Sequence, residues 1–326
     1  MKIEKIIFLI LFLLTHNYLF SQSFFSQFYS SPLTINPANT GEFFGDYRIG
    51  GLYRSEKNSS GVISKATFYY DGRILPSTLP EYDKLAIGTA FLSEKDIFNG
   101  IKNSYFLVSV AYHKSLDEEG LQQLGAGFQA NYSTKKIEPP VLIFEDQLRA
   151  WINSGFSTMN PFIKRININY IDINAGLNYQ GLINKNLLNV GISVLHANRP
   201  SRSFDGGEFS LSPQPIFHIG LESPIANKNK LYSAFIISAK NKKVDELYFS
   251  CIYQVKINES NYKISSGVLF RKSTLNGNAI IPTLGMKFNN FLLNMAYDIN
   301  VSSRTNTQKG ALEVGMIFIG RKVPKK

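Results

Sequence analysis

From Gln123 to Tyr132 the chain alternates without a break: Leu124, Ala126, Phe128, Ala130 and Tyr132 hold one parity, and Gln123, Gly125, Gly127, Gln129 and Asn131 hold the other. Successive side chains of a strand point to opposite faces, so this segment has one apolar face and one wet, small face. A soluble sandwich alternates too. The number of such segments, their length and what precedes them decide between the two. The rhythm recurs from Tyr47 to the C-terminus, with strand candidates at 47–54, 62–71, 85–93, 104–113, 122–132, 171–180, 187–196, 215–223, 231–239, 247–257, 262–271, 280–288, 291–300 and 310–320. Most are close to the roughly 9–11 residues of a tilted transmembrane strand and longer than the usual 5–6 of globular sheets. In the sixth, Ile171, Ile173, Ala175, Leu177 and Tyr179 oppose Asp172, Asn174, Gly176, Asn178 and Gln180; in the thirteenth, Phe291, Leu293, Met295, Tyr297 and Ile299 oppose Leu292, Asn294, Ala296, Asp298 and Asn300. Neither apolar row carries a charge, as a lipid-facing row requires, since Lys or Arg at mid-membrane costs about 2–4 kcal/mol. The pattern predicts an all-β fold: an antiparallel outer-membrane β-barrel of about 14 strands over 47–320.

The start of the chain reads as an export signal over residues 1–21. Lys2 and Lys5 give a basic start, residues 6–14 are apolar, and Ser21 precedes the expected cleavage point. That apolar run falls well short of the roughly 20 residues a membrane helix needs. Residues 22–46 do not alternate and so are not barrel wall, and residues 321–326 form a basic tail. Charged residues make up 18% of the chain and aromatics 13%, with 25 Phe and 17 Tyr. The charged share is below the roughly 25% of soluble domains and suits a protein that exposes apolar surface to something other than water. The net charge of +11 is scattered over strands and turns. Nucleic-acid binding asks for a clustered basic face; attraction to an anionic surface, lipopolysaccharide or an acidic partner, fits better. The single cysteine, Cys251, excludes an intrachain disulfide framework and reads as an inert small hydrophobe.

With the N-terminus in the periplasm, the odd-numbered connections (55–61, 94–103, 133–170, 197–214, 240–246, 272–279, 301–309) face outside. They average about 14 residues against about 7 for the even-numbered ones, the asymmetry of a bacterial barrel. The thirteen-residue connection 72–84 is the exception on the inner side. The longest, 133–170, contains Pro139-Pro140, Glu145, Asp146 and Trp151, and its stretch 141–151 is a candidate short helix or lid. Catalysis finds little footing. His113, His196 and His218 lack metal-ligand spacing, and there is neither a Gly-x-Ser-x-Gly elbow nor a phosphate loop. We therefore expect no catalytic residue, metal or cofactor, and a protein that is not an enzyme.

Three stretches say more than periodicity. The first runs Phe25-Ser26-Gln27-Phe28-Tyr29, Pro32-Leu33, Asn36-Pro37-Ala38 and Gly41, into Asp46-Tyr47-Arg48 and Tyr53-Arg54. The second is His196-Ala197-Asn198-Arg199-Pro200 with Ser203-Phe204, and the third Ala296-Tyr297-Asp298-Ile299-Asn300-Val301-Ser302, followed by Gly310 and Glu313. Together they resemble the PorP/SprF family of Bacteroidota outer-membrane proteins associated with type IX secretion and gliding motility. The resemblance implies a barrel that helps a secreted adhesin reach or stay on the cell surface. Its partners would be a surface protein with a type IX C-terminal sorting domain and other secretion components. The barrel would act as an accessory or anchor rather than the translocation pore. The basic tail departs from the family pattern.

Candidate partner-binding or lumenal residues follow from these stretches: Asn36, Pro37, Gly41, Arg48, Arg54, His196, Asn198, Arg199, Tyr297, Asp298 and Asn300. In residues 24–41, Pro32 and Pro37 deny strand pairing. The resemblance favours a plug in the lumen over a plain periplasmic lead-in. Arg48, Arg54 and Asp71 read as an internal charge network. His196, Asn198 and Arg199 read equally as a rim contact or a structural turn. A channel for small or hydrophobic solutes is the rival function.

Overall fold

The computed structural model describes residues 24–58, 61–97, 100–138, 166–202, 210–225, 229–241, 243–257, 262–274, 277–302 and 308–321. The expected signal peptide, the stretch 141–151 and most of the basic tail lie outside the described residues. Fourteen strands close into one antiparallel barrel: β1 Tyr47–Asn58, β2 Val62–Ile74, β3 Lys84–Asp96, β4 Ile101–Ser115, β5 Gln122–Ile137, β6 Ile166–Ile183, β7 Asn186–Leu195, β8 Gln214–Pro224, β9 Lys230–Lys240, β10 Lys243–Lys256, β11 Tyr262–Ser273, β12 Ala279–Phe288, β13 Phe291–Asn300 and β14 Gln308–Gly320. Every strand pairs with its sequence neighbours, and β1 closes on β14 from Tyr47↔Gly320 to Asn58↔Gln308. Closure leaves no unpaired edge, which a bilayer would penalise.

β1 begins and β14 ends at one rim, called here the terminal rim; the opposite rim is distal. The two-residue turns Asn184–Lys185 and Asn289–Asn290 sit at the terminal rim, with positive φ at Asn184, Lys185 and Asn289. The inner connection expected at 72–84 shortens to 75–83 because β2 and β3 run further than their alternation suggests. Distally the strands also overrun their expected ends. β4 starts at Ile101, β5 continues to Ile137, and β6 starts at Ile166. Only two distal connections stay long, 138–165 and 196–213.

The outward face carries the apolar parity. Phe128 (62% exposed), Ile171 (62%) and Val108 (51%) point away from the lumen, while Gln129 and Asp172 are buried inside. Cys251 is also on the outward face. Near the terminal rim the outward row is aromatic. Tyr262 stacks on Phe288 at 4.5 Å, Phe291 meets Phe318 at 4.7 Å, and Tyr47 lies between Phe318 and Tyr70. Such a girdle marks a membrane–water interface.

The position of the apolar band yields a contrast. Val108→Arg lies inside it and should cost about 2–4 kcal/mol of folding stability, whereas Ser104→Arg, one outward position short of the distal end, should cost about 0–1 kcal/mol. Denaturant unfolding of the barrel in lipid vesicles reads both.

Candidate functional site

Residues Phe24–Asp46 fill the space the strands enclose. Proline spacing breaks this stretch into three short 3₁₀ turns, Phe28–Ser30, Pro32–Thr34 and Pro37–Asn39, the last two with a proline at their start. Each turn meets its own backbone needs locally, so the stretch requires no sheet partner. Its apolar side chains pack on opposite walls. Phe24, Phe28 and Ile35 join Tyr248, Leu269 and Ile281, while Leu33 packs with Tyr69, Ala90 and Leu107. Phe25 lies against Leu52 and Leu92, beneath the Lys65 ammonium at 4.7 Å. Each such buried side chain contributes about 1.5–3 kcal/mol.

Three polar latches hold the stretch. The first is distal and sits at the closing seam. Arg54 Nη1 lies 2.8 Å from both Asp298 Oδ2 and Glu313 Oε1, and Nη2 lies 2.9 Å from Glu56. Arg271 also bonds Asp298. The lead-in chain completes the cluster. Ser26 N–H and Gln27 N–H donate to the two Glu313 oxygens at 2.8 and 2.9 Å, and Ser26 Oγ bonds Asp298 at 3.0 Å. Phe24 N–H donates to Glu246 at 3.3 Å. Arg54, Asp298, Glu313 and Arg271 are all at most 5% exposed. Charges so deeply buried persist only when paired and hydrogen-bonded on all sides.

The second latch centres on Asn36. Its Oδ1 accepts from Ala38 N–H at 2.9 Å, capping the third turn. Its Nδ2 donates to Leu177 O at 3.0 Å and faces His218 Nε2 at 3.1 Å. Close approach here depends on glycine. A Cβ at Gly176 would stand 2.0 Å from Asn36 Oδ1, and one at Gly127 would stand 2.4 Å from Ala38 N.

The third latch is at the terminal rim. Arg48 binds Asp71 through two bonds of 2.9 and 2.8 Å, and Gly41 N–H donates to the same carboxylate at 2.7 Å. Gly41 is at φ +75° with Ala86 close by, so a side chain is excluded there. Thr40 Oγ1 meets Ser109 at 2.8 Å. His113 Nε2 donates to Thr40 O at 2.8 Å, leaving Nδ1 2.9 Å from Glu42. Burial alone would push the Glu42 carboxyl up. The His113 bond and the charges of Lys84, His113 and Arg73 outweigh it and hold Glu42 below the usual carboxylate range.

These placements correct two expectations. Arg48, Arg54 and Asp71 do not form one network; six residues along a strand is about 20 Å, and the two arginines serve different latches. Tyr297 is not lumenal, since the residue is 46% exposed on the outward face. Asn198 and Arg199 lie in a turn at the distal rim, where Asn198 continues the sheet beyond β7. It accepts from Ile173 N–H at 3.0 Å and donates to Ile171 O at 2.9 Å. His196 and Arg199 have φ of +59° and +48°, and Arg199 N–H closes the turn onto His196 O. Asn300 is half-buried at the end of β13. Pro37 is buried in the third turn.

His196 faces inward and bonds Asp172 through Nδ1 at 2.8 Å. Both line a cavity of about 40 Å³ beside Phe24 and Phe25, together with Gln129, Asn131 and Asn174. Gln129 Oε1, Asn131 Oδ1 and Asp172 Oδ1 have no protein partner there, and the space suits a few waters. The sequence reading missed Ser26, Gln27, His218, Arg271 and Glu313 as latch residues. For His218, Arg271 and Glu313 the signal is a polar group on the inward parity, strongest at Glu313 between Leu312 and Val314, whereas Ser26 and Gln27 lie in the non-alternating stretch and carry no such signal.

Gly176→Val should shift Asn36 and its turn while leaving the barrel closed. We expect about 1–3 kcal/mol of destabilisation, with faster protease cleavage in residues 24–41 and unchanged β content by circular dichroism. Arg54→Met should cost more, about 3–5 kcal/mol, because three buried carboxylates lose a shared partner.

The fold resembles solved outer-membrane channels. A deletion mutant of the TodX monoaromatic hydrocarbon channel superposes with a TM-score of 0.52 at 10% identity, over 88% of this chain and 93% of that one. The CymD monoaromatic hydrocarbon channel gives 0.51 at 10% identity, over 90% and 93%. The toluene transporter TodX of P. putida gives 0.50 at 8% identity, over 88% and 93%. At such identities the likeness is one of fold alone. No curated protein matches the chain. The family described as "Type IX secretion system membrane protein PorP/SprF" matches residues 19–318, nearly the whole sequence. With its closed fourteen-strand wall and lipid-facing apolar rows, the chain is an outer-membrane barrel that belongs to the PorP/SprF family.

Proposed function

We propose that this barrel acts as a partner-specific accessory of type IX secretion, helping to deliver or hold one surface adhesin through its C-terminal sorting domain. The terminal rim then faces the periplasm and the distal rim the cell surface. The observation that carries the reading is the filled lumen. Residues 24–46 cross it, tied by Glu313 and Asp298 at one end and by Asp71 and Ser109 at the other. A barrel plugged by its own chain serves better as a holder than as a conduit. Specificity falls to the distal rim, where the two long connections 138–165 and 196–213 emerge beside His196, Asn198 and Arg199. The role is non-catalytic and uses no metal or cofactor. Gliding motility is the process such an adhesin would serve.

A second reading, a channel for small hydrophobic solutes, draws on the fold shared with the monoaromatic hydrocarbon channels. The two readings part in two measurements. Cells lacking this protein should lose one specific protein from their surface while other type IX cargo still appears, read by surface proteomics. Liposomes containing the intact barrel should be no more permeable to small solutes than empty ones, and deleting residues 24–40 should raise permeability. Conductance by the intact protein together with unchanged surface proteins would favour the channel.

A further inference from the structure

The outward face of β2–β6 changes chemistry in register as it approaches the distal rim. One row of directly paired positions is apolar and mainly aromatic: Phe68, Phe91, Phe106, Tyr132 and Ile171. The next outward row is small and mostly polar: Ala66, Ser93, Ser104, Thr134 and Asn169. The row beyond it contains Lys95, Lys102 and Lys136, each directly opposite the next on β3, β4 and β5. All three lysines share the parity of the lipid-facing residues and are exposed. No ion pair involves them among the described residues. Among the described residues the nearest acid on the same face is Glu138, two positions past Lys136 and also exposed.

Directly opposed strand residues hold their Cβ atoms about 4.5–5.5 Å apart, and like charges placed so repel. Three in a row is therefore unfavourable unless an anion sits over them. Their height decides which anion. The lysines lie four residues past the aromatic row, about 13 Å along the strand. That places them just clear of the hydrocarbon, at the last outward position of β3, β4 and β5. A soluble anion would have no reason to meet an aromatic wall below the charge, whereas an amphiphile matches all three rows at once.

We propose that Lys95, Lys102 and Lys136 form a binding site for the phosphates of lipopolysaccharide in the outer leaflet. The acyl chains lie on Phe91, Phe106 and Tyr132, the hydroxyls of Ser93, Ser104 and Thr134 meet the sugar backbone, and the ammonium groups share the phosphates. A doubly phosphorylated lipid neutralises the row, which a zwitterionic phospholipid cannot do. The site uses the orientation proposed above but is independent of any anchoring role.

The test is lipid retention by the purified full-length barrel in nanodiscs, read by native mass spectrometry with bisphosphorylated lipid A, dephosphorylated lipid A and phosphatidylglycerol in turn. Three ammonium groups facing the same phosphates act together, so the K95Q/K102Q/K136Q variant should lose retention of bisphosphorylated lipid A by roughly tenfold or more. The matching triple arginine variant should keep it, and K102Q alone should fall between. Removing the outward-facing Lys57, Lys114 and Lys272 as glutamines subtracts the same charge elsewhere and should change little. Equal losses from both triple variants, or equal retention of dephosphorylated lipid A by the intact protein, would overturn the site. Preference for phosphatidylglycerol over lipid A would overturn the lipopolysaccharide assignment. Heat-modifiable mobility on gels confirms that each variant is a closed barrel before it is scored.

Discussion

Arg54 is the point on which the interior turns. Its guanidinium joins Glu56 on its own strand, Glu313 across the closing seam and Asp298 one strand further. Buried as they are, these charges have few alternatives to one another, so their pairing fixes β1, β13 and β14 in one arrangement. The pairing is also incomplete without the lead-in chain, because the Glu313 carboxylate accepts Ser26 and Gln27 N–H and the Asp298 carboxylate accepts Ser26 Oγ. Closure of the wall and seating of the segment inside it are thus coupled. A barrel that closes without residues 24–27 leaves buried carboxylates short of donors; a segment that seats early has no carboxylates to bind.

The same coupling explains the small residues on the inward parity. Alternation of apolar and small polar residues in β5 and β6 first suggests only that one face is wet. In the folded chain Gly127 and Gly176 face the third 3₁₀ turn, and their missing Cβ atoms are what let Ala38 and Asn36 approach the wall. The inward glycines are therefore a mould for the inserted chain. A water-filled lumen would have tolerated serine or alanine at these positions; a packed one does not.

Legibility in the sequence varied for a physical reason. Wherever lipid touches the wall, an apolar residue must recur at every second position, so each of the fourteen strands showed itself and the order was unambiguous. Past the lipid the constraint lapses. Lys102-Asn103-Ser104, Thr134-Lys135-Lys136 and Asn167 carry no alternation, and β4, β5 and β6 were accordingly read too short. The inserted chain shows a related limit. Its lack of alternation and its prolines marked it as something other than wall, but the partners of its distal end lie more than two hundred residues away in sequence. Glu313 and Asp298 become visible as its acceptors only when the seam is closed. Tyr297 was grouped with Asp298 because they adjoin in a motif, yet adjacent strand residues face opposite ways.

The barrel is not equivalent around its circumference. On the β8–β13 side the inserted segment packs with Tyr248, Leu269 and Ile281 into an apolar cluster that is solid. On the β5–β7 side Gln129, Asn131, Asp172 and His196 surround the small cavity, with acceptor oxygens unmatched by protein. This looser sector carries the two longest strands, β5 and β6, with one long distal connection between them and the other at its β7 edge, and adjoins the lysine row outside. Tight packing on one side supplies the rigidity that lets the other side retain polar groups not fully committed to the fold. Uncommitted groups are what recognition requires, because a fully satisfied interior gives nothing up to a partner. On the proposed function, a cargo or lipid that discriminates among barrels of this shape would take its footing on β3–β7, with the seam at Arg54 holding the rest of the wall in place.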